Sequence, residues 1–136
     1  MLAAALLSML LIAALMAAVF FATTEETRTA VATSASEGAL LGAESAVQAT
    51  LEALSNGTGQ PPRIGQRQTF SDRSAGSSVN VTRLDSTLVW IVAEASGKGA
   101  LGGAMRRIGL FAAVSFDSTG SIRVAPIPER GWSELF

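Results

Sequence analysis

The first segment of the chain, residues 1–22, restricts the possible folds more than any other feature. Its sequence, MLAAALLSMLLIAALMAAVFFA, contains no charged residue, and its polar side chain is the hydroxyl of Ser8. A helix of about 20 apolar residues crosses the ~30 Å hydrocarbon core of a bilayer. The segment is therefore predicted to span a membrane. Side chains along the whole predicted span would face lipid, among them Met1, Leu6, Leu10, Leu15 and Phe20.

The helix predicted for this span has no obvious end at residue 22. The sequence continues for more than thirty residues without proline or a turn dipeptide until Ser55, Asn56 and Gly57. Asparagine and glycine accept the left-handed conformation that ends many helices. One continuous helix over residues 1–54 is predicted, about 80 Å long at 1.5 Å per residue.

The second half of this helix, residues 23–55, is amphipathic. Its larger apolar side chains recur at spacings of seven, four and three, which places them on one helical face. We expect this face to be an assembly surface, and it consists of Leu40, Val47, Leu51 and Leu54. Gly38 and Gly42 either mark a bend or close crossing, or are simply tolerated.

The remainder, residues 56–136, is predicted to form a small β head. Alternating or continuous apolar runs indicate strands near residues 79–85, 88–96, 105–116 and 121–127, with a possible short strand at 67–71. The fold class is therefore α+β: a long N-terminal helix packed against an antiparallel sheet of three or four strands. Because the chain has no cysteine to cross-link so small a head, the helix is expected to cover one face of the sheet.

The charges differ between the two parts of the chain. Residues 23–55 carry five glutamates and one arginine, whereas residues 56–136 carry nine basic and six acidic residues, giving −4 and +3. Opposite charges favour contacts between helix and head, within or between subunits. The basic residues are dispersed and lack the aromatic platforms that bind nucleic acid, so no nucleic-acid partner is expected.

Catalytic and cofactor sites are not supported by the sequence. The chain has no histidine, cysteine or tyrosine. Gly97, Gly99 and Gly102 match the spacing of a dinucleotide-binding loop, but a β-like run follows them where the motif needs a helix. Ser96 and Lys98 have no third residue to orient them as a catalytic pair. We predict a protein that is not an enzyme and that needs no metal, cofactor or small-molecule substrate.

The two tryptophans lead to different expectations. Trp90 lies in an apolar strand and is predicted to be in the core. The C-terminal segment WSELF would be unusually apolar if left exposed, so it either folds back on the sheet or binds a partner. Its possible partner contacts are Trp132, Leu135 and Phe136.

The combination of a lipid-embedded, then amphipathic helix and a small antiparallel sheet resembles type IV pilins and the pseudopilins of type II secretion. The chain is most similar to PilX-type minor pilins. Glu25, Glu26 and Arg28 resemble their glutamate–arginine element. Residues 37–41 and 43–54, the latter with the sequence AESAVQATLEAL, resemble their alanine-rich run. WIVAEASGKG and MRRIGLFAAV resemble their strand, glycine turn and long second strand.

The resemblance implies a structural subunit of a type IV pilus or related secretion filament. A prepilin peptidase would remove a leader and methylate the new N-terminus, the span would lie in the bacterial inner membrane, and the head would lie on the periplasmic or extracellular side. The partners would be other pilin-like subunits and the lipid bilayer.

One position departs from the pattern of major pilins, which carry a glutamate at the fifth mature residue. This chain has Ala5 there, so the buried charge that aligns neighbouring subunits is absent. A minor or tip subunit fits this difference better than a shaft-forming one. It also leaves open a second hypothesis: a single-span accessory subunit that stabilises a larger inner-membrane complex of the respiratory or photosynthetic type.

Overall fold

The computed structural model describes residues 2–72, 76–97, 103–118, 120–128 and 131–135. These residues form a long helix and an antiparallel sheet, which confirms the predicted α+β class. The helix α1 covers Leu2–Ser55. The strands are β1 (Arg67–Asp72), β2 (Ser77–Arg83), β3 (Leu88–Gly97), β4 (Ala104–Phe116), β5 (Ile122–Pro126) and β6 (Ser133–Leu135).

Helix α1 is continuous for 54 residues, as predicted, and is about 80 Å long. It ends where the sequence indicated. The Asn56 backbone N–H donates to the Glu52 carbonyl at 2.8 Å, and Gly57 follows with a φ of 73°. Glycine adopts this left-handed conformation without the steric cost that a Cβ would add, so it stops the helix cleanly.

The sheet has the order β1-β2-β3-β4-β5, with neighbouring strands antiparallel, and β6 also pairs with β4. The described residues thus contain six strands, more than the three or four predicted. β5 pairs with residues 112–116 of β4, and β6 pairs with residues 107–109 further along the same edge. A three-residue strand such as β6 is too short to show the alternation on which strand prediction depends.

One face of the sheet is covered by the outer half of α1, as predicted. Along β3, Val89, Ile91 and Ala93 are fully buried on this face, while the residues between them are only half-buried. The largest fully buried side chains of the core are Leu54, Ile91, Leu110, Val47, Val81 and Val89. Burying each contributes roughly 1.5–3 kcal/mol.

Small residues allow α1 to approach the sheet closely at the end of β3. A Cβ at Gly97 would overlap the backbone carbonyl of Ala35, and one at Gly42 would lie 3.3 Å from the Ala95 Cβ. A Cβ at Gly38, in contrast, would meet nothing within 4 Å. Gly42 therefore belongs to the close crossing considered above, whereas Gly38 lies on the solvent side of the helix.

Candidate membrane span and contact surfaces

The inner part of α1 is long and apolar enough to cross a membrane. Its most apolar window has a mean hydropathy of 2.6, and none of that window is buried inside the protein. Of the side chains predicted to face lipid, Leu6, Leu10, Leu15 and Phe20 are each at least 59% exposed. Met1 lies outside the described residues. An exposed apolar surface of this kind marks a membrane or protein contact site, and its length matches the hydrocarbon core of a bilayer.

Hydroxyl groups in and beside the span are satisfied by the helix itself. The Ser8 hydroxyl donates to the Ala5 carbonyl at 2.9 Å, and the Thr24 hydroxyl donates to the Phe20 carbonyl at 2.7 Å. Thr27 and Thr29 make the same bond to the carbonyls four residues earlier. These internal hydrogen bonds reduce the cost of placing hydroxyl groups in or near hydrocarbon.

A polar segment of α1, residues 23–34, separates the span from the sheet; we call it the stalk. All of its side chains except those of Thr24 and Val31 are exposed, and the first buried side chain after it is Ala35. The Arg28 guanidinium donates to the Glu25 carboxylate at 3.0 Å. This ion pair is exposed and joins residues about one helical turn apart. At 1.5 Å per residue, the stalk holds the sheet about 18 Å beyond the span.

The predicted assembly face of α1 is used within the chain. Val47 and Leu54 are fully buried under the sheet, and Leu40 and Leu51 are partly buried against the same core. Another subunit cannot contact Val47 or Leu54 while the head is folded, so the assignment of this face to assembly is corrected. Amphipathic spacing shows that a helix has an apolar partner, but it does not say which one.

An arginine on β4 joins the start of the packed helix to the end of the chain. The Arg106 Nε and Nη2 donate to the Ser36 hydroxyl at 2.8 and 2.5 Å, and Nη1 donates to the Glu134 carboxylate at 2.6 Å. Glu134 lies on β6, so one guanidinium connects α1, β4 and β6. The sequence does not single out Arg106, because MRR is typical of the polar beginning of a strand.

The second face of the sheet carries an apolar cluster formed by Trp90, Val92 and Phe111, with Leu135 of β6 at its edge; we call it the outer face. At its centre the rings of Trp90 and Phe111 lie 4.2 Å apart. A Cβ at Gly109 would overlap the Trp90 ring and lie 3.1 Å from Leu135 Cδ1, so the indole occupies the space above this glycine. Trp90 is half-buried here, not in the helix-covered core as predicted.

The C-terminal segment folds back on the sheet, which was one of its two predicted states. Leu135 pairs with Arg107 in register and is half-buried beside Gly109, so this side chain contacts its own chain. Trp132 remains 45% exposed, and Phe136 lies outside the described residues. The part of the tail that the structure describes is therefore mostly an edge strand of the head.

Among the residues of the candidate chemical motifs, Gly97 and Ser96 are described by the structure, and both have packing or hydrogen-bonding roles. Gly97 ends β3 against α1, and the chain continues as a strand from Ala104, without the helix that a dinucleotide site requires. Lys98, Gly99 and Gly102 lie outside the described residues. The Ser96 hydroxyl donates to the Gly76 carbonyl at 3.3 Å. No group of three or more metal-ligating side chains occurs among the residues that the structure describes.

The turn between β2 and β3 is organised by a carboxylate. Asp85 Oδ1 accepts from the Thr87 backbone N–H at 2.6 Å and from the Thr87 hydroxyl at 3.0 Å. These hydrogen bonds favour the ionised form and lower the pKa of Asp85 below its ordinary value. Aspartate commonly plays this structural role in turns.

Comparison with protein-family models, with curated proteins and with solved structures gives no match to this chain.

Proposed function

We propose that the chain is a membrane-anchored structural subunit of a type IV pilus or a related secretion filament, in a minor or tip position. The observation that carries this proposal is the single helix α1, which is charge-free and exposed over its first part and packed under a sheet over its last. Such a helix holds a small head at a fixed distance from a bilayer. This is the geometry that a pilin-like subunit needs before and during assembly.

In this proposal the span lies in the bacterial inner membrane and the head lies on the periplasmic side. Because the chain has no cysteine, the orientation can be measured with one introduced thiol. Ser118→Cys, at an exposed position between β4 and β5, should react with a membrane-impermeant maleimide when only the outer membrane has been permeabilised. Labelling that requires lysis of the inner membrane would contradict the proposed orientation.

The filament role is tested by mass spectrometry of sheared surface filaments and of purified assembly complexes. The chain should be present at low stoichiometry relative to a major subunit. A prepilin leader, basic and ending in glycine directly before Met1 in the gene, should accompany this result. Persistent absence of the chain from both filaments and assembly complexes would contradict the proposal.

A second candidate is an accessory subunit that anchors in the inner membrane and stabilises a larger complex. Ala5 favours it, because the chain lacks the buried carboxylate that aligns major pilins. Purification from membranes in mild detergent distinguishes the two candidates. Stable recovery with subunits of a respiratory or photosynthetic complex supports the accessory role, whereas recovery with pilin-like chains supports the filament role.

A further inference from the structure

The chain contains two asparagines, and their surroundings differ. Asn56 is exposed in the turn directly after α1, and Gly57 follows it. Asn80 lies half-buried within β2, between β1 and β3, and the buried Val81 follows it. Asparagine is chemically labile where its side chain can reach the next backbone nitrogen, so these surroundings decide the fate of each side chain.

The peptide unit between Asn56 and Gly57 is open to reaction. Among the residues that the structure describes, none hydrogen-bonds to the Asn56 side chain or to the Gly57 backbone N–H. A Cβ at Gly57 would meet nothing within 4 Å, so the space around this residue is free. Glycine also has no side chain that would block the approach to its nitrogen. The Gly57 nitrogen is therefore accessible to the Asn56 carboxamide.

Asn80 is held in the opposite way. Its Oδ1 accepts from the Thr69 hydroxyl at 2.8 Å, and its backbone lies between Thr69 of β1 and Val92 of β3. The nitrogen that would have to react belongs to Val81, which is β-branched and fully buried. Reaction at Asn80 would require local opening of the sheet.

We infer that Asn56 is a site of spontaneous modification, at which its carboxamide is converted to aspartate and isoaspartate. The Gly57 backbone nitrogen loses its proton and attacks Cγ of Asn56. A C–N bond forms there, the side-chain nitrogen leaves as ammonia after taking up a proton, and a cyclic succinimide remains. Water then adds to either ring carbonyl, and the C–N bond at that carbon breaks. The reaction exchanges ammonia for water, which is its only co-reactant.

Both products place a negative charge at the unfavourable end of α1. The free carbonyl groups of the last helical turn give a helix C-terminus partial negative charge. Residues 52–55 contain Glu52 and no basic side chain that would compensate it. The Asn56 backbone N–H donates to the Glu52 carbonyl at 2.8 Å, so position 56 lies directly at this end. A carboxylate at position 56 is therefore repelled by the helix that precedes it.

The isoaspartate product also lengthens the main chain between two fixed points. The Ser55 hydroxyl donates to the Val124 carbonyl at 3.1 Å and accepts from the Val124 backbone N–H at 3.3 Å. Beyond the turn, the Gly59 backbone N–H donates to the Ala53 carbonyl at 2.8 Å. Isoaspartate adds a methylene group to the backbone between Ser55 and Gly59, so these contacts have to rearrange. The modification thus loosens the junction of α1 with the sheet.

Mass spectrometry of the aged protein tests the inference. The purified full-length chain in detergent is incubated at mildly alkaline pH, which favours deprotonation of the backbone nitrogen, and samples are digested with trypsin. Arg63 and Arg73 lie between the two asparagines, so trypsin places them in different peptides. The Asn56 peptide should convert to the acid about tenfold faster than the Asn80 peptide, because the sheet has to open for the second reaction. Methylation by an isoaspartate-specific methyltransferase should label the Asn56 peptide.

Two substitutions at the same position provide matched controls. Asn56→Ser removes the carboxamide and keeps a small polar side chain, so this peptide should show no mass change on incubation. Asn56→Asp reproduces the charge of one product and should unfold at a lower temperature than Asn56→Ser, by a difference that salt reduces. The aged parent protein should likewise unfold at a lower temperature than Asn56→Ser incubated in the same way.

Two results would overturn the inference. Equally slow conversion of both asparagines would show that the turn holds the Asn56 side chain away from the Gly57 nitrogen. Conversion of Asn56 with no change in unfolding temperature relative to Asn56→Ser would show that the end of α1 tolerates the products. Either result can occur whether or not the chain is recovered from filaments, so failure here is distinguishable from failure of the proposed function.

Discussion

Residues 2–34 and residues 35–55 of α1 belong to one uninterrupted helix but have different surroundings. In the first part nearly every described side chain is exposed, whereas in the second Ala35, Ala39, Ala43, Val47 and Leu54 are buried under the sheet. Backbone hydrogen bonding is the same in both parts, so the difference arises from side chains alone. The first part contains a segment that is long and apolar enough for a bilayer, whereas the second part packs on β2, β3, β4 and β5.

Helix propensity therefore does not decide which part of α1 stabilises the head. The two parts should respond independently to substitution: changes in the span should alter membrane retention, and changes in the packed part should alter unfolding of the sheet. The following predictions test this separation, beginning with the largest effect.

The largest effect is expected from a leucine at the helix–sheet interface. Leu54→Ala should lower the free energy of unfolding of the head by about 2–5 kcal/mol, because a fully buried side chain leaves a cavity. Thermal unfolding followed by tryptophan fluorescence measures this loss. Leu41→Ala, the same change on the exposed side of the same helix, should cost less than about 0.5 kcal/mol. Similar losses for both would contradict the described packing.

The second effect concerns the span. Leu10→Arg should weaken membrane insertion by about 3–4 kcal/mol, because it places a charge near the centre of the apolar segment. Alkaline carbonate extraction should then release a larger fraction of the chain. Gln48→Arg, an exposed position in the packed half of α1, should leave extraction unchanged. Release of both variants to the same extent would argue against a span confined to the first part of the helix.

The third prediction compares two glycines. Gly97→Ala should destabilise the head by about 1–3 kcal/mol, since a methyl group there overlaps the Ala35 carbonyl and must push α1 away from β3. Gly38→Ala should instead stabilise the helix by roughly 0.5–1 kcal/mol, because its Cβ meets nothing within 4 Å. A stabilising Gly97→Ala in a thermal unfolding assay would show that the crossing is looser than described.

A smaller effect is expected at the contact made by Arg106. Glu134→Gln should lower stability by about 0.5–1 kcal/mol, an amount limited by the exposure of both partners. Glu25→Gln, which breaks the ion pair in the stalk, should change stability of the head by no more than about 0.3 kcal/mol. A salt titration of the unfolding temperature should reduce the difference between Glu134→Gln and the parent, because screening weakens exposed ion pairs.

The smallest effect should appear as a pH dependence. Asp85 has a lowered pKa in the folded state, so its contribution is present above the ordinary carboxyl pKa of about 4 and is lost as the pH falls through the lower folded value. Asp85→Asn should flatten this part of the stability profile. The unfolding temperature of the variant is measured between pH 2 and 5. If it falls with pH as steeply as that of the parent, other carboxylates cause the loss of stability in acid.

The sequence contained enough information for the helix and for the main strands. The charge-free beginning, the absence of proline and the Ser55–Gly57 stop are local signals, and α1 follows them. The alternation of apolar residues in β2 and β3 likewise reflects the local geometry of a pleated strand. Local patterns could not predict β6, whose three residues depend on pairing with β4.

The contact surfaces were harder to predict, because they depend on which element covers which face. LVWIV in β3 is apolar on both sides, so its sequence does not show that Trp90 faces away from α1 while Val89 and Ile91 face towards it. The requirement for glycine at position 97 comes from Ala35, far away in the chain. Likewise the face containing Val47 and Leu54 reads as apolar whether its partner is its own sheet or another subunit.

Because α1 is continuous, a tilt of its first part would move the sheet at its far end sideways. From Ala22 to Ser55 the helix extends about 50 Å, without a proline or a break in its backbone ladder. Membrane helices tilt by about 20° on average, and a tilt of that size would carry the Ser55 end sideways by about 17 Å. Small changes in how the span sits among lipids would therefore become large displacements of the sheet, and the bilayer would help to decide where the outer face points.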